Sequence, residues 1–275
     1  NQERQFQLKN IIMTMKEIET KYHINHKTIK KYIDKKSFLA TKTSKCWDIY
    51  EDTFQKWFKL YKSGYENKQP WNRKVFNVID SPEKAYWLGF INADGCIHEK
   101  AQYLSIDIGG KDREHLQKFV GFINGKNELI KTTIHPQTGN ELVHVALCSS
   151  ELISDLKRYG IHANKSGKEQ YIETNYDADF IRGVIDGDGC ILSNLKGIDL
   201  VGSYQLLSAV QNKLLYLIQV TPHKIMTHGK IFKISYRSKK EVYKIIKFLY
   251  GENSVSLARK QELANKIIQN YEKIC

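Results

Sequence analysis

Apolar residues between 81 and 251 follow two rhythms that take turns along the chain. Leu104, Ile106 and Ile108 alternate with Tyr103, Ser105 and Asp107, the period of a strand with one buried face. Ser150 to Tyr159 and Lys239 to Tyr250 carry apolar residues at helical spacing, and each runs into a glycine stop, Gly160 and Gly251. The pattern predicts a helix ending at Asp94-Gly95, strands at 96–100 and 102–109, a helix at 112–122, strands at 128–135 and 141–148, and a helix at 150–159. The same order returns after a helix ending at Asp188-Gly189. Strands are expected at 190–195 and 197–202, a helix at 205–218, strands at 223–227 and 230–237 joined by a His228-Gly229 turn, and a helix at 239–250.

The recurrence extends to residue identity. Trp87-Leu-Gly-Phe-Ile-Asn-Ala-Asp-Gly-Cys-Ile97 matches Ile181-Arg-Gly-Val-Ile-Asp-Gly-Asp-Gly-Cys-Ile191. One repeat unit written twice implies two similar halves related by a pseudo-two-fold axis. The expected fold is α+β: two pseudo-symmetric αββαββα subdomains at 76–176 and 177–275. Two further segments precede them. Within 1–36, Thr14 and Glu17 form a capping box, and Ile18, Tyr22, Ile24, Ile29 and Ile33 fit two short helices, the second capped by Asn25. That second helix carries Lys27, Thr28, Lys30 and Lys31 and resembles a helix-turn-helix, with Glu19 and His23 where a small residue and a glycine are usual. Residues 37–75 read as a basic, aromatic connector without clear period.

Charge narrows the partner. Among 275 residues, 43 Lys and Arg stand against 30 Asp and Glu, and the formal charge of +13 favours a polyanion. The basic residues are interleaved with Tyr and Phe, which suits a folded basic surface rather than a tail. Hydrophobic residues at 41% allow substantial cores. No apolar run reaches the length of a membrane span and no signal pattern is visible, so no membrane partner is expected. The chain opens on Asn1 rather than Met, and sequence is expected to be missing ahead of it. Cys46, Cys96, Cys148, Cys190 and Cys275 are scattered without a Cys-x-x-Cys pair, so neither a zinc site nor a disulfide framework is indicated, and reduced thiols in a cytoplasmic setting are expected.

The two motifs carry the chemistry. Gly89 with Ala93, and Gly183 with Gly187, stand four residues apart, giving each helix a face with almost no side chain. Two such faces can pack with their backbones close, bringing the helix C-termini together. Asp94 and Asp188 sit at those termini, where each carboxylate meets the negative end of its helix dipole and repels the other. A divalent cation resolves this arrangement, and oxygen ligands suit Mg²⁺.

The residues from Trp87 to Gly95 and from Ile181 to Gly189 resemble the nine-residue motif of the LAGLIDADG homing endonucleases in their two-motif, single-chain form. The resemblance runs from about Phe76 to about Lys266. The sixth motif position is Asp186 in the second copy and Asn92 in the first. The eighth, the family's metal-binding acid, is Asp94 and Asp188.

The resemblance implies a sequence-specific double-strand DNA endonuclease. Metal, Mg²⁺ or Mn²⁺, would lie between the two acids and the scissile phosphates. Saddle-shaped sheets would lie in the major groove over roughly two helical turns, and one chain would act as a monomer. It also implies a basic residue near each scissile phosphate. Lys165 and Lys260 lie at nearly equal separations from their acids and are assigned that role. Base and phosphate contacts are expected from the sheet faces opposite the apolar alternation. They are Tyr103, Ser105, Asp107, Lys131, Thr133 and His144 in the first half, and Lys224, Lys233, Ser235 and Arg237 in the second. The setting implied is cytoplasmic and nucleoid-associated, in a bacterial, phage or organellar host. The alternative on the same fold is a non-cleaving DNA-binding regulator, or a splicing maturase that binds its host intron RNA.

Overall fold

The computed structural model describes residues 11–44, 46–67, 71–135, 137–251 and 255–273. The chain divides into two compact units, 1–68 and 69–275.

In the first unit, strand β1 (Ile12–Thr14) leads into helices α1 (Met15–Tyr22) and α2 (His26–Asp34), then β2 (Ala40–Lys42), β3 (Trp47–Tyr50) and α3 (Glu51–Asn67). The Thr14–Glu17 capping box forms, with the Thr14 amide donating to the Glu17 carboxylate at 2.7 Å. Asn25 caps α2 by accepting from the Lys27 amide at 2.8 Å. Between the helices His23 adopts φ 51°, the left-handed conformation that glycine usually fills at such a turn. The stretch expected as a connector instead carries β2, β3, α3 and half of a core. Phe38, Ile49, Phe54 and Trp57 pack with Ile18, Ile24, Ile29 and Ile33. The strands are too short to show a period, but Phe54, Trp57, Phe58 and Tyr61 of α3 stand at i, i+3, i+4 and i+7, a helical spacing that could have announced that helix.

The second unit contains the repeat. Ser81 caps α4 (Pro82–Asp94), with Pro82 in the first turn, where its missing N–H costs nothing. Strands β4 (Gly95–His98) and β5 (Tyr103–Gly109), α5 (Arg113–Phe122), β6 (Ile130–Ile134), β7 (Glu141–Cys148) and α6 (Ser150–Arg158) complete the first half. The second half runs α7 (Asp177–Asp188), β8 (Gly189–Ile191), β9 (Ile198–Gly202), α8 (Tyr204–Ile218), β10 (Met226–His228), β11 (Ile231–Tyr236) and α9 (Lys239–Leu249). Both halves form antiparallel sheets of the same order, β4-β5-β7-β6 and β8-β9-β11-β10. The α+β class and the doubled αββαββα order are therefore as the pattern predicts.

Two local expectations shift. His228 pairs with Ile231, so the hairpin turns at Gly229-Lys230, one residue later than expected, with Gly229 at φ 62°. A further helix, α10 (Ala258–Glu272), follows the second half and buries Lys260, Ala264 and Ile267. Its spacing of Leu263, Ala264, Ile267 and Ile268 is helical and could have announced it.

The core runs continuously through both halves. Its centre is the packing of α4 on α7, the most extensive between any two elements. A Cβ on Gly89 would stand 2.2 Å from the Phe180 carbonyl oxygen, and one on Gly183 would stand 2.1 Å from that of Tyr86. The helices touch backbone to backbone, so only glycine fits at either place. One helical turn on, a Cβ on Gly187 would meet the Ala93 Cβ at 2.4 Å.

Candidate functional site

The close helix crossing delivers two carboxylates to one place. Each motif helix ends on its acid, because Gly95 and Gly189 leave the helix in extended conformation while donating back to Ile91 and Ile185. The Asp94 carboxyl carbon lies 3.4 Å from the position a Gly187 Cβ would take. The absence of a side chain there leaves room for Asp94 beside the partner helix. Asp94 stays open to solvent and Asp188 is half-buried. Surrounding protein nevertheless pushes both carboxyls above the usual range. Burial is the first cause for Asp188, the charge of Asp94 the second, and its pKa reaches about 6. Asp94 is raised by burial and held back by the charges of Lys260, Lys165 and Arg259.

Lys165 and Lys260 both come to the ends of these helices, with different bonding. The Lys165 ammonium donates to the Ala93 carbonyl at 2.5 Å, its one hydrogen bond among the described residues. The Lys260 ammonium donates to the carbonyls of Ile185 at 2.6 Å, Asp186 at 2.7 Å and Gly189 at 2.7 Å. It is 2% exposed, and burial lowers its pKa to about 8. Both cations offset the negative end of a helix dipole. All three N–H groups of Lys260 are spent on α7, whereas Lys165 keeps N–H groups free beside Asp188, Glu169 and Asp94.

Beneath the acids lies a buried network that the spacing of residues does not announce. The Asp186 carboxylate, 1% exposed, accepts from the Tyr86 hydroxyl, the Tyr250 hydroxyl and the Leu257 amide, each at 2.7 Å. The Tyr86 oxygen also lies 3.0 Å from His115 Nε2. Because Tyr86 donates its only proton to Asp186, His115 is the donor in that contact. In the first half Asn92 stands in the equivalent place and donates to the Gln170 carbonyl at 3.0 Å. An acid among apolar neighbours on α7 was the available signal for this network. Across the halves, Arg259 also meets both oxygens of Asp112 at 3.2 Å.

The sheet residues expected to meet DNA gather on one face of each sheet. Strand register aligns Asp107, His144 and Lys131 in a row. Ser105 and Tyr103 lie on the same side of β5, opposite buried Leu104 and Ile106, and Tyr103 stacks on His98 with ring centres 4.0 Å apart. Thr133 is exposed on β6. In the second half Lys233 and Ser235 of β11, with Arg237 just beyond it, converge on Asp199 of β9. Lys224 is exposed ahead of β10, outside the sheet. On α2 of the first unit, Lys27, Lys30 and Lys31 are exposed and Thr28 is half-buried. Lys30 pairs with Asp34 at 2.5 Å and lies over the Trp47 ring. No helix among the described residues is long and apolar enough to cross a membrane.

No protein-family model matches the chain, and no curated protein does. Solved structures do resemble it. Full-length DUF199/WhiA from Thermatoga maritima is 14% identical with a TM-score of 0.48, over 72% of this chain and 64% of that one, less than two thirds of its length. The LAGLIDADG meganuclease I-AabMI bound to uncleaved DNA is 13% identical with a TM-score of 0.45, over 70% of this chain and 91% of that one. The meganuclease I-SmaMI bound to uncleaveable DNA is 12% identical with a TM-score of 0.48, over 70% and 90%. Identities of this size leave function to be read from the chain's own residues.

Proposed function

We propose that this chain is a sequence-specific double-strand DNA endonuclease of the two-motif LAGLIDADG kind, acting as a monomer with Mg²⁺ or Mn²⁺ held by Asp94 and Asp188. The observation that carries this reading is the crossing of α4 on α7. Glycines at the contact let the backbones touch, and the touching helices bring two carboxylates together so closely that Asp94 helps raise Asp188 to about 6. A fold gains nothing from forcing like charges together at the negative ends of two helices.

The donor set fits a hard divalent cation. Among the described residues no group of three or more His, Cys, Asp or Glu forms a closed metal cage. Two carboxylates are the set Mg²⁺ takes when substrate phosphate supplies further oxygens. Bound there, the metal would supply Lewis-acid polarisation of a phosphoryl oxygen. Lys165 has N–H groups free to donate to a phosphate as charge develops on it. Lys260 holds the end of α7, and through it the direction of Asp188. The open faces of the two sheets present the polar side chains that read bases, and α2 of the first unit adds a second DNA contact through Lys27, Thr28, Lys30 and Lys31.

Incubation of the full chain with a randomised duplex library and Mg²⁺, followed by sequencing of cut ends, tests this reading. A single long consensus flanking the cuts is expected, and uncut DNA at every metal concentration would contradict it. A second reading, DNA binding without cleavage, is favoured by Lys260. Its ammonium is fully engaged with α7, so it offers no match to the free N–H groups of Lys165. Under that reading the same library yields a bound consensus and no cut ends.

A further inference from the structure

Asp199 is the second residue of β9, 8% exposed on the sheet face opposite buried Ile198 and Leu200, and gathers its neighbours. Its Oδ1 accepts from the Ser235 hydroxyl at 2.7 Å and from the Arg237 guanidinium at 2.5 Å, and its Oδ2 faces the Lys233 ammonium at 2.8 Å. Burial pushes the carboxyl up, but the bonds from Lys233, Ser235 and Arg237 outweigh this and hold it below the usual range. Arg237 is pinned at its other end too, where Nη1 donates to the Ile198 carbonyl at 3.1 Å and to that of Tyr236 at 3.0 Å. A Cβ on Gly197 would stand 2.7 Å from Arg237 Nη1, so glycine clears the space in which Arg237 lies.

The three polar partners have unequal freedom. Arg237 is a strut, held by three bonds, with both Nη1 hydrogens given to carbonyls and one Nη2 hydrogen to the acid, which leaves its Nε–H and second Nη2–H. Ser235 spends its proton on Asp199. Lys233 gives one bond to the acid and keeps two N–H groups for a ligand, with its side chain 32% exposed. The first half has no counterpart. Ser105 holds the register place of Asp199, each paired with the cysteine that follows its motif glycine, Cys96 or Cys190. Ala146 holds the place of Ser235.

Resting on the reading that this face meets DNA, we propose that Asp199 is the specificity-determining residue of the second sheet. Its one negative charge offsets half of the positive charge of Lys233 and Arg237, and it aims Lys233 at base-edge acceptors. The physical argument is one of competition. A free lysine takes the nearest phosphate, which carries no sequence information. A lysine with a carboxylate partner has its charge partly offset and its direction fixed, so its remaining donors favour a matching acceptor such as the guanine edge. The two half-sites are then read with unequal stringency, the one under the second sheet more strictly.

Binding of the full chain to its selected duplex, with no divalent cation present, is measured as a function of salt for Asp199→Asn, Asp199→Glu and Lys233→Met. Asp199→Asn frees cations for phosphate, so its log–log salt dependence should steepen by about 0.9 for each cation released. Discrimination against base changes should fall under the second sheet only. Asp199→Glu, which keeps the charge, should hold the wild-type salt slope. Lys233→Met should lose the same discrimination with little change of slope, because its free donors go to a base edge and not to a phosphate.

Three results would overturn the proposal. They are a wild-type slope and wild-type discrimination in Asp199→Asn, discrimination lost equally in both half-sites, or a slope reduced by about 0.9 in Lys233→Met, which would mark Lys233 as an ordinary phosphate contact. The last of these stands even if Asp199→Asn fails to fold. A wild-type chain that selects no duplex at all would instead remove the DNA reading itself, and this proposal with it.

Discussion

The Lys260 ammonium lies 2.6 Å from the Ile185 carbonyl and caps the end of α7 with two further bonds, whereas Lys165 gives a single bond to the end of α4. The sequence puts these lysines at equivalent places, and the structure gives them unequal duties. Lys260→Met would remove three bonds from the end of α7, leaving the Ile185 carbonyl only the Gly189 amide, and would take from buried Asp186 the cation that most favours its charge, a loss of at least about 2 kcal/mol. Lys165→Met should cost less, about 1 kcal/mol for one bond. Denaturant midpoints of the two variants check this, and equal midpoints would contradict the difference in duty.

The helix crossing can be probed without touching any charged group. Gly183→Ala would drive a Cβ to within 2.1 Å of the Tyr86 carbonyl oxygen, and should destabilise the chain by roughly 1–3 kcal/mol. Gly121→Ala on α5 meets nothing within 4 Å and should be neutral or stabilising by up to about 1 kcal/mol. Thermal melts of both variants compare a glycine required by close approach with one that is not.

Much of this arrangement is legible in the residues alone, and the reasons differ from place to place. Alternation along β5 and β7 and the helical spacing of α6 and α9 are one-dimensional signals, so those elements fall close to expectation. The glycine pairs announce a close crossing because side-chain size alone limits how near two helices come. What stays hidden depends on distance along the chain. Asp186 draws its donors from Tyr86, 100 residues away, and Tyr250, 64 away. Phe38 and Ile49 join the core of Phe54 and Trp57 from a bend and a four-residue strand that show no period of their own. Asp199 carries no signal of its own, because Lys233, Ser235 and Arg237 lie far along the chain and only strand register shows that they converge on it.

Acidity supplies another check. Asp188 titrates near 6 in the folded chain against an ordinary 3.8, so between those values the folded state holds more proton than the unfolded. The stability this confers is present below about pH 4 and is lost as pH rises through about 6. Metal-free protein should therefore weaken across that window, and Asp188→Asn, which cannot ionise, should flatten the change and be the more stable of the two at pH 7. Denaturation midpoints measured against pH read this directly. A wild-type midpoint that rises through the window with the same slope as the variant would contradict the raised acidity of Asp188.

The first unit has its own core and its own basic helix, so removing residues 1–68 should leave the second unit folded. Binding should weaken, and its salt dependence should flatten by about 0.9 for each phosphate that α2 no longer neutralises. The footprint should shorten at one end only, since α2 occurs once while the repeat occurs twice. Footprinting of full-length and shortened chains checks this, and an unchanged footprint would show that α2 does not touch DNA.

The most direct measurement is the rate at which Asp94→Asn and Asp188→Asn cut the selected duplex with saturating Mg²⁺, taken together with their affinity for the same duplex. Each substitution removes one charged donor while keeping its shape. Double-strand cleavage should fall below detection in both variants, with affinity close to that of the unaltered chain, because the acids hold metal rather than dock the duplex. Cleavage at near-unaltered rates by either variant would contradict the assignment of the two acids as the metal-holding pair.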